Sequence, residues 1–126
     1  VYTAEDESKS YIIPLSGSGL WDIIWGYIAL DDDLNTVVGA IFDHKAETPG
    51  LGAEIAGETF ESAFENKKMF EDGTFVGIEV RKGAISDIDH QVQGISGATI
   101  TGDGVTDMIE RDLQKYLPYL ENLKRN

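Results

Sequence analysis

The sequence predicts an α+β fold, one domain with a mixed, mainly antiparallel sheet and helices packed against it, and three observations carry that prediction. Residues 21–30 and 36–42 are rich in aromatic and β-branched side chains and flank the acidic turn Asp31-Asp32-Asp33, as the arms of a hairpin do. Val105, Met108, Ile109, Leu113, Tyr116, Leu117 and Leu120 stand at steps of three and four, the period of a helix with one face in a core. Glycine-rich turns at 16–19, 50–52 and 94–104 punctuate the chain into short elements. At 126 residues the chain is long enough to bury one core and offers no room for a second, so residues 1–126 read as a single domain.

Taken in order, residues 1–10 are polar and charged and read as a frayed lead-in or a short helix. Residues 11–15 form a short apolar strand before the turn-forming Ser16-Gly17-Ser18-Gly19. In the second arm of the hairpin Val37, Gly39 and Ile41 share one face and Val38, Ala40 and Phe42 the other. Both faces are largely apolar, which predicts a central strand covered on both sides. Thr48-Pro49-Gly50-Leu51 carries the type II turn signature, because Pro fixes φ near about −65° and Gly accepts φ > 0. Ile55, Ala56, Phe60, Ala63 and Phe64 then recur at helical spacing, predicting one amphipathic helix over 53–68, weakened or broken by Gly57. Residues 74–81 alternate, so Val76, Ile78 and Val80 should form the apolar face of a half-buried strand. Lys82-Gly83 turns the chain, and 84–88 and 90–94 read as short strands. The last helix is expected to begin at 103–105 and to end or kink at Pro118, with a polar tail after it.

Composition excludes several kinds of function. Ten Lys+Arg against 23 Asp+Glu give a net charge of −13, which repels nucleic acid phosphates and anionic lipid headgroups and favours docking on a basic surface. The absence of Cys removes disulfides, iron–sulfur ligation and thiol nucleophiles, so redox chemistry here has to come from a cofactor. No apolar run approaches the ~20 residues of a membrane-spanning helix. His44 and His90 have no Asp/Glu/His set at ligand spacing, and no metal is expected. Ser96 lacks the Gly-x-Ser-x-Gly elbow of a hydrolase nucleophile. Asp31-Asp32-Asp33 lacks the glycine and the distant Glu of a calcium loop and reads as a solvated turn.

One stretch stands apart. Residues 93–105 form a glycine-rich loop with hydroxyls at Ser96, Thr99 and Thr101 that runs straight into the last helix. Backbone N–H groups at a helix start lack intrahelical partners, the dipole there is positive, and glycines let a phosphate approach the main chain. The same residues also suit a tight turn with a hydroxyl cap, and spacing alone leaves both readings open. On composition Trp21 reads first as a core aromatic, with a ligand neighbour as the alternative; Glu47 reads as an exposed loop charge or a ligand contact, and Lys82 as turn decoration or a phosphate neighbour.

Ser96-Gly97-Ala98-Thr99 resembles the flavinylation motif of the FMN-binding domains of redox-driven ion pumps, in which the last Thr is joined to FMN through a phosphoester. The family usually has Asp three residues before the Ser, where this chain has Gln93. Ser16-Gly17-Ser18-Gly19-Leu20-Trp21-Asp22, Glu47-Thr48-Pro49-Gly50-Leu51-Gly52 and Ser96-Gly97-Ala98-Thr99 occur in the order seen in the C-subunit family of the sodium-translocating NADH:quinone oxidoreductase. The likeness runs from about Tyr11 to Leu120. The sister G-subunit family of the Rnf complex shares the second and third motifs; the Gly19-Leu20-Trp21 segment favours the quinone reductase branch.

The resemblance implies a fold of the FMN-binding domain type, with Thr99 as the covalent acceptor of FMN. It implies that Ser96, Gly97 and Ala98 offer donors to the phosphate, and that Thr101 caps the helix. Trp21 and Leu51 would flank the isoalloxazine, Glu47 and Thr48 would bond its polar edge or ribityl chain, and Lys82 would act electrostatically. It further implies an electron-relay subunit of a sodium-pumping NADH:quinone reductase. Its partners would be the other subunits of that membrane complex and a flavin transferase. By the same resemblance these residues are a soluble fragment, held on the periplasmic side of the inner membrane by a single N-terminal helix outside them.

Overall fold

The computed structural model describes residues 2–3 and 9–125, with side chains from 10 to 122. Strands β1 (Tyr2–Thr3), β2 (Lys9–Ser18), β3 (Ile23–Leu30) and β4 (Val37–His44) form an antiparallel sheet in the order β1-β2-β3-β4. The register Tyr11↔Leu30, Ile13↔Ile28 and Leu15↔Gly26 puts Tyr11, Ile13, Leu15, Ile24, Ile28 and Leu30 on one buried face. Helix α2 (Thr99–Arg125) lies across that face and fills it with Val105, Met108, Ile109, Leu113 and Leu117. Two polar ties hold the helix in place: Ser16 N–H donates to Asp112 Oδ2 at 2.9 Å, and Val80 N–H to Thr106 Oγ at 2.8 Å. The second tie fixes a small parallel ribbon, β7 (Glu79–Arg81) with β8 (Gln91–Gln93), beside the start of α2. Beyond β4, Phe42, Phe60 and Phe64 close the core, with ring centroids 5.0 to 5.6 Å apart. None of the described helices is long and apolar enough to cross a membrane.

The α+β class holds, with the antiparallel sheet, a hairpin β5 (Phe70–Glu71) and β6 (Thr74–Phe75), and the parallel ribbon as separate units. Several element expectations are corrected. Residues 2–3 and 9–10 are paired strand rather than lead-in or helix, and 1 and 4–8 lie outside the described residues. β2 continues through Ser16-Gly17-Ser18, since Gly17 leaves room for α2: a Cβ there would meet Met108 Cβ at 2.9 Å. β4 is the edge strand, not a central one. The expected face assignment is also corrected: the register shifts between Ala29↔Gly39 and Leu30↔Val37, and this bulge at Val38 leaves Val37 and Phe42 buried while Val38 (50%) and Ile41 (57%) are exposed.

The predicted helix over 53–68 is a 3-10 turn (Gly52–Ala56) and a short α1 (Glu58–Ser62), separated by Gly57 in extended conformation. The predicted strand over 74–81 breaks at Gly77, whose φ is +70°, leaving Val76 exposed. Residues 84–88 form no strand; β8 is shorter than the predicted 90–94 segment. Helix α2 begins at Thr99 and passes through Pro118 to Arg125, because Leu117 and Leu120 on either side of the proline stay buried in the core.

Candidate functional site

The Thr48-Pro49-Gly50-Leu51 turn closes as its sequence requires: Leu51 N–H donates to Thr48 O at 3.0 Å and Gly50 has φ +80°. It sets Glu47 inside, only 4% exposed. One carboxylate oxygen of Glu47 accepts Leu20 N–H at 2.9 Å and Thr101 Oγ–H at 2.5 Å; the other accepts Trp21 N–H at 2.9 Å and Asp22 N–H at 3.4 Å. Burial pushes its pKa up, yet the Thr101 hydroxyl and the amides of Trp21, Leu20 and Asp22 outweigh it and hold the carboxyl below the usual glutamate value. Glu47 is therefore a fixed anion that staples the 20–22 loop to the first turn of α2. The glycines around it are demanded by proximity, since a Cβ on Gly19 would lie 2.5 Å, and one on Gly52 3.0 Å, from Glu47 Oε1.

This staple shapes a cleft of about 220 Å³ between Trp21, Leu20, Thr48 and Leu51 on one wall and Gly97 to Thr101 on the other. A second cleft of about 360 Å³ adjoins it, lined by Arg81, Lys82, Gly94 and Ser96. Gly97, Ala98 and Thr99 line both, so Thr99 stands at their junction, exposed, as the first residue of α2. Gly97 has φ +80°, and a Cβ there would meet Leu51 Cδ2 at 2.9 Å, so glycine is needed for the close approach of the two walls.

Among the described residues, the N–H groups of Ser96, Gly97, Thr99, Ile100 and Thr101 have no protein acceptor. Five free amides around a helix start, next to two cations in a chain of net charge −13, form a place for an anion.

The structure brings Thr99, Ser96, Gly97, Ala98, Trp21, Thr48, Leu51 and Lys82 to this pair of clefts. Three roles read from the sequence change. Ala98 N–H is taken by Ile95 O at 3.0 Å, so the donors beside Ser96 and Gly97 are those of the helix start. Thr101 lies inside α2, 1% exposed, and bonds Glu47 instead of capping the helix. Glu47 is neither an exposed loop charge nor free to bond a ligand, because four protein donors occupy it. Trp21 is 66% exposed at the lip of the cleft, which removes the core reading.

Sequence reasoning missed Arg81, Leu20 and Ile100. Arg81 had a signal, as the neighbour of Lys82 before the hydroxyl loop in an acidic chain. It also missed that Glu71, Asp87 and His90 each offer one ligand atom within 4.8 Å of the others, because the hairpin that brings Glu71 there is a tertiary feature. Proximity of exposed acids alone does not make a metal centre.

A sheet backed by one long helix, with free amides at a glycine-lined helix start, is the class of arrangement that suits a phosphate-bearing ligand. The chain belongs to the FMN-binding domain family, which matches residues 19–114. Among curated relatives, the C-subunit of the Na(+)-translocating NADH-quinone reductase of Haemophilus ducreyi is 36% identical over 129 residues, covering 98% of this chain and 50% of the relative. Its counterpart in Neisseria meningitidis serogroup A is 38% identical, covering 90% of this chain and 45% of the relative. The crystal structure of the counterpart from Parabacteroides distasonis superposes with a TM-score of 0.87 at 46% identity, covering 91% of this chain and 58% of that one. NqrC of Shewanella oneidensis gives 0.87 at 33% identity, covering 100% and 59%. The chain thus spans about half the length of the curated relatives it matches, and the resemblance seen in its three motifs is borne out.

Proposed function

We propose that this domain is the electron-relay part of a sodium-translocating NADH:quinone reductase and carries FMN as a phosphoester on Thr99. The observation that carries the reading is the position of Thr99: an exposed hydroxyl at the helix start, at the meeting of two clefts, ringed by free amides. The donor set fits a phosphodiester, which keeps one negative charge, and the helix dipole with Arg81 and Lys82 favours that charge. Ser96 and Gly97 offer amides to the phosphate. Trp21 and Leu51 give an aromatic ring apolar neighbours at the cleft lip. Glu47 fixes the distance between those two walls without touching the ligand.

The group's chemistry, when bound, is reversible uptake and release of electrons. The residues of this chain hold it, orient it and set the field around it. A tether keeps the carrier at high effective concentration beside its redox partners. The reading places the chain in a membrane-bound assembly with the other subunits of the complex, on the periplasmic side, and makes it a substrate of a flavin transferase. Gln93, in place of the family's Asp, lines the phosphate cleft and bears on how readily that transferase acts.

Intact-mass measurement after co-expression with a flavin transferase is the test. The expected product is the chain plus one FMN less one water, lost in Thr99→Ala; an unmodified wild-type mass overturns the covalent assignment. The ring of free amides also suits a reversibly held phosphorylated ligand. Under that second reading, yellow colour washes away on denaturation and gel filtration, whereas under the first it stays with the chain.

A further inference from the structure

The sheet has a second side that the flavin site does not use. Register pairs Pro14 with Tyr27 and Tyr27 with Ile41, and Ile12 with Ala29, so these residues share the face turned away from α2. Ile12 is 47%, Tyr27 48% and Ile41 57% exposed. Contiguous exposed side chains of this kind mark an interaction surface, because single apolar residues on a surface are ordinary but a row of them across three strands is not. The row forms the floor of a groove of about 590 Å³, walled by Glu58, Glu61 and Glu65 of α1 and the turn after it. Among the described residues no Lys or Arg lines it. The groove shares no lining residue with either cleft at Thr99, so whatever lies in it leaves the flavin site open.

The groove also runs along the β4 edge, which residues 66 and 67 close at Val37 (Val37 N–H to Lys67 O and Asn66 N–H to Val37 O, both 2.8 Å) and leave open further along the strand. Glu61 Oε2 accepts Phe42 N–H at 2.8 Å, which shows that this amide points away from β3. In an antiparallel strand successive amides alternate in direction, so the backbone of Ala40 faces the same open edge.

We propose that this groove docks a segment of another subunit of the pump, with apolar side chains facing the sheet and Lys or Arg along the edge that meets α1. The proposal rests on the function given above. Charge decides the occupant. A second copy of this chain would bring its own glutamates and a net charge of −13 to an acidic wall, and an anionic lipid surface would meet the same repulsion. A segment with apolar and basic edges satisfies both the floor, Tyr27 and Ile41, and the wall, Glu58 and Glu65.

The test uses the remaining subunits of the complex, purified as a subcomplex without this chain, and measures its binding to them by biolayer interferometry. Ile41→Glu places a charge on the floor at a position already more than half exposed, so the fold survives it. Glu58→Lys/Glu65→Lys reverses the wall at exposed positions. Each is expected to weaken binding at least about tenfold, as loss of an interface anchor or of charge complementarity does. Raising the salt should weaken wild-type binding more than that of the wall variant. Wild-type affinity in both variants, or no binding by the wild type, overturns the proposal. So does an Ile41-dependent dimer in sedimentation, or Ile41-dependent binding to phosphatidylglycerol vesicles, since either would assign the face to another occupant. The FMN mass adduct of the same variants separates the two readings: an intact adduct with unchanged docking sinks the groove alone, and a missing adduct in the wild type sinks the flavin assignment.

Discussion

At the scale of single residues the site depends on a carboxylate that does no chemistry. Glu47 accepts four hydrogen bonds from groups that would otherwise be buried or half-buried donors without partners. Removing it in Glu47→Ala is expected to lower stability by about 2–3 kcal/mol, the scale of charge-assisted bonds lost together with donors left unpaired. Its pH dependence has a definite sign. The folded-state pKa lies below the ordinary value of 4.5, so the stabilisation is fully present above that value and is lost as pH falls through the lower folded-state pKa. In urea unfolding, the gap between wild type and Glu47→Gln should be constant near neutrality and shrink as pH drops below 4.5. A gap that widens in acid would show that the depressed carboxylate is not the source. Thr99 differs in kind: exposed and without a buried partner, it should be replaceable by Ala at a cost under about 0.5 kcal/mol, leaving the mass adduct as the only thing lost.

At the scale of elements, helix α2 decides where the site is. Its first two turns contain Gly102 and Gly104, residues that disfavour a helix by about 1 kcal/mol each. They are there because the helix crosses the end of β2 and the β7 strand at close range. A Cβ on Gly104 would sit 2.1 Å from Ser18 O, and one on Gly102 3.0 Å from Val80 Cγ1. Gly104→Ala, stabilising in an isolated helix, is therefore expected to destabilise this protein by about 2 kcal/mol or more, because a backbone carbonyl cannot move aside as a flexible side chain can. Thermal unfolding of that variant settles the sign. Under the proposed attachment at Thr99, the same change should also reduce the FMN mass adduct, since any shift of α2 away from β2 carries Thr99 out of the cleft wall.

At the scale of the whole molecule, charge and apolar surface pull in different directions. Thirteen excess negative charges oppose compaction, and the ion pairs seen, Lys45 with Asp22 at 3.8 Å and Arg111 with Asp112 at 3.1 Å, are partly exposed and weak compensation. Raising salt to about 0.5 M should screen this repulsion and lift the melting temperature by roughly 4 °C, equivalent to about 1 kcal/mol; a fall in calorimetry would mean that attractive pairs dominate. The sequence by itself determined what depends on neighbours along the chain. The hairpin arms that become β3 and β4, the period of α2 and the Thr48-Pro49-Gly50-Leu51 turn were legible because each follows from local composition and backbone geometry, and the three ordered motifs carried the family. Tertiary structure alone decided which apolar face of β4 is covered, why glycines 102 and 104 are helical, and that Glu47 turns inward to bind amides 25 to 27 residues before it and a hydroxyl 54 residues after it. The reason is that these depend on what lies across a gap in space. The same apolar strand is central or edge, and the same Gly loop or helix, according to a neighbour that one-dimensional periodicity does not contain.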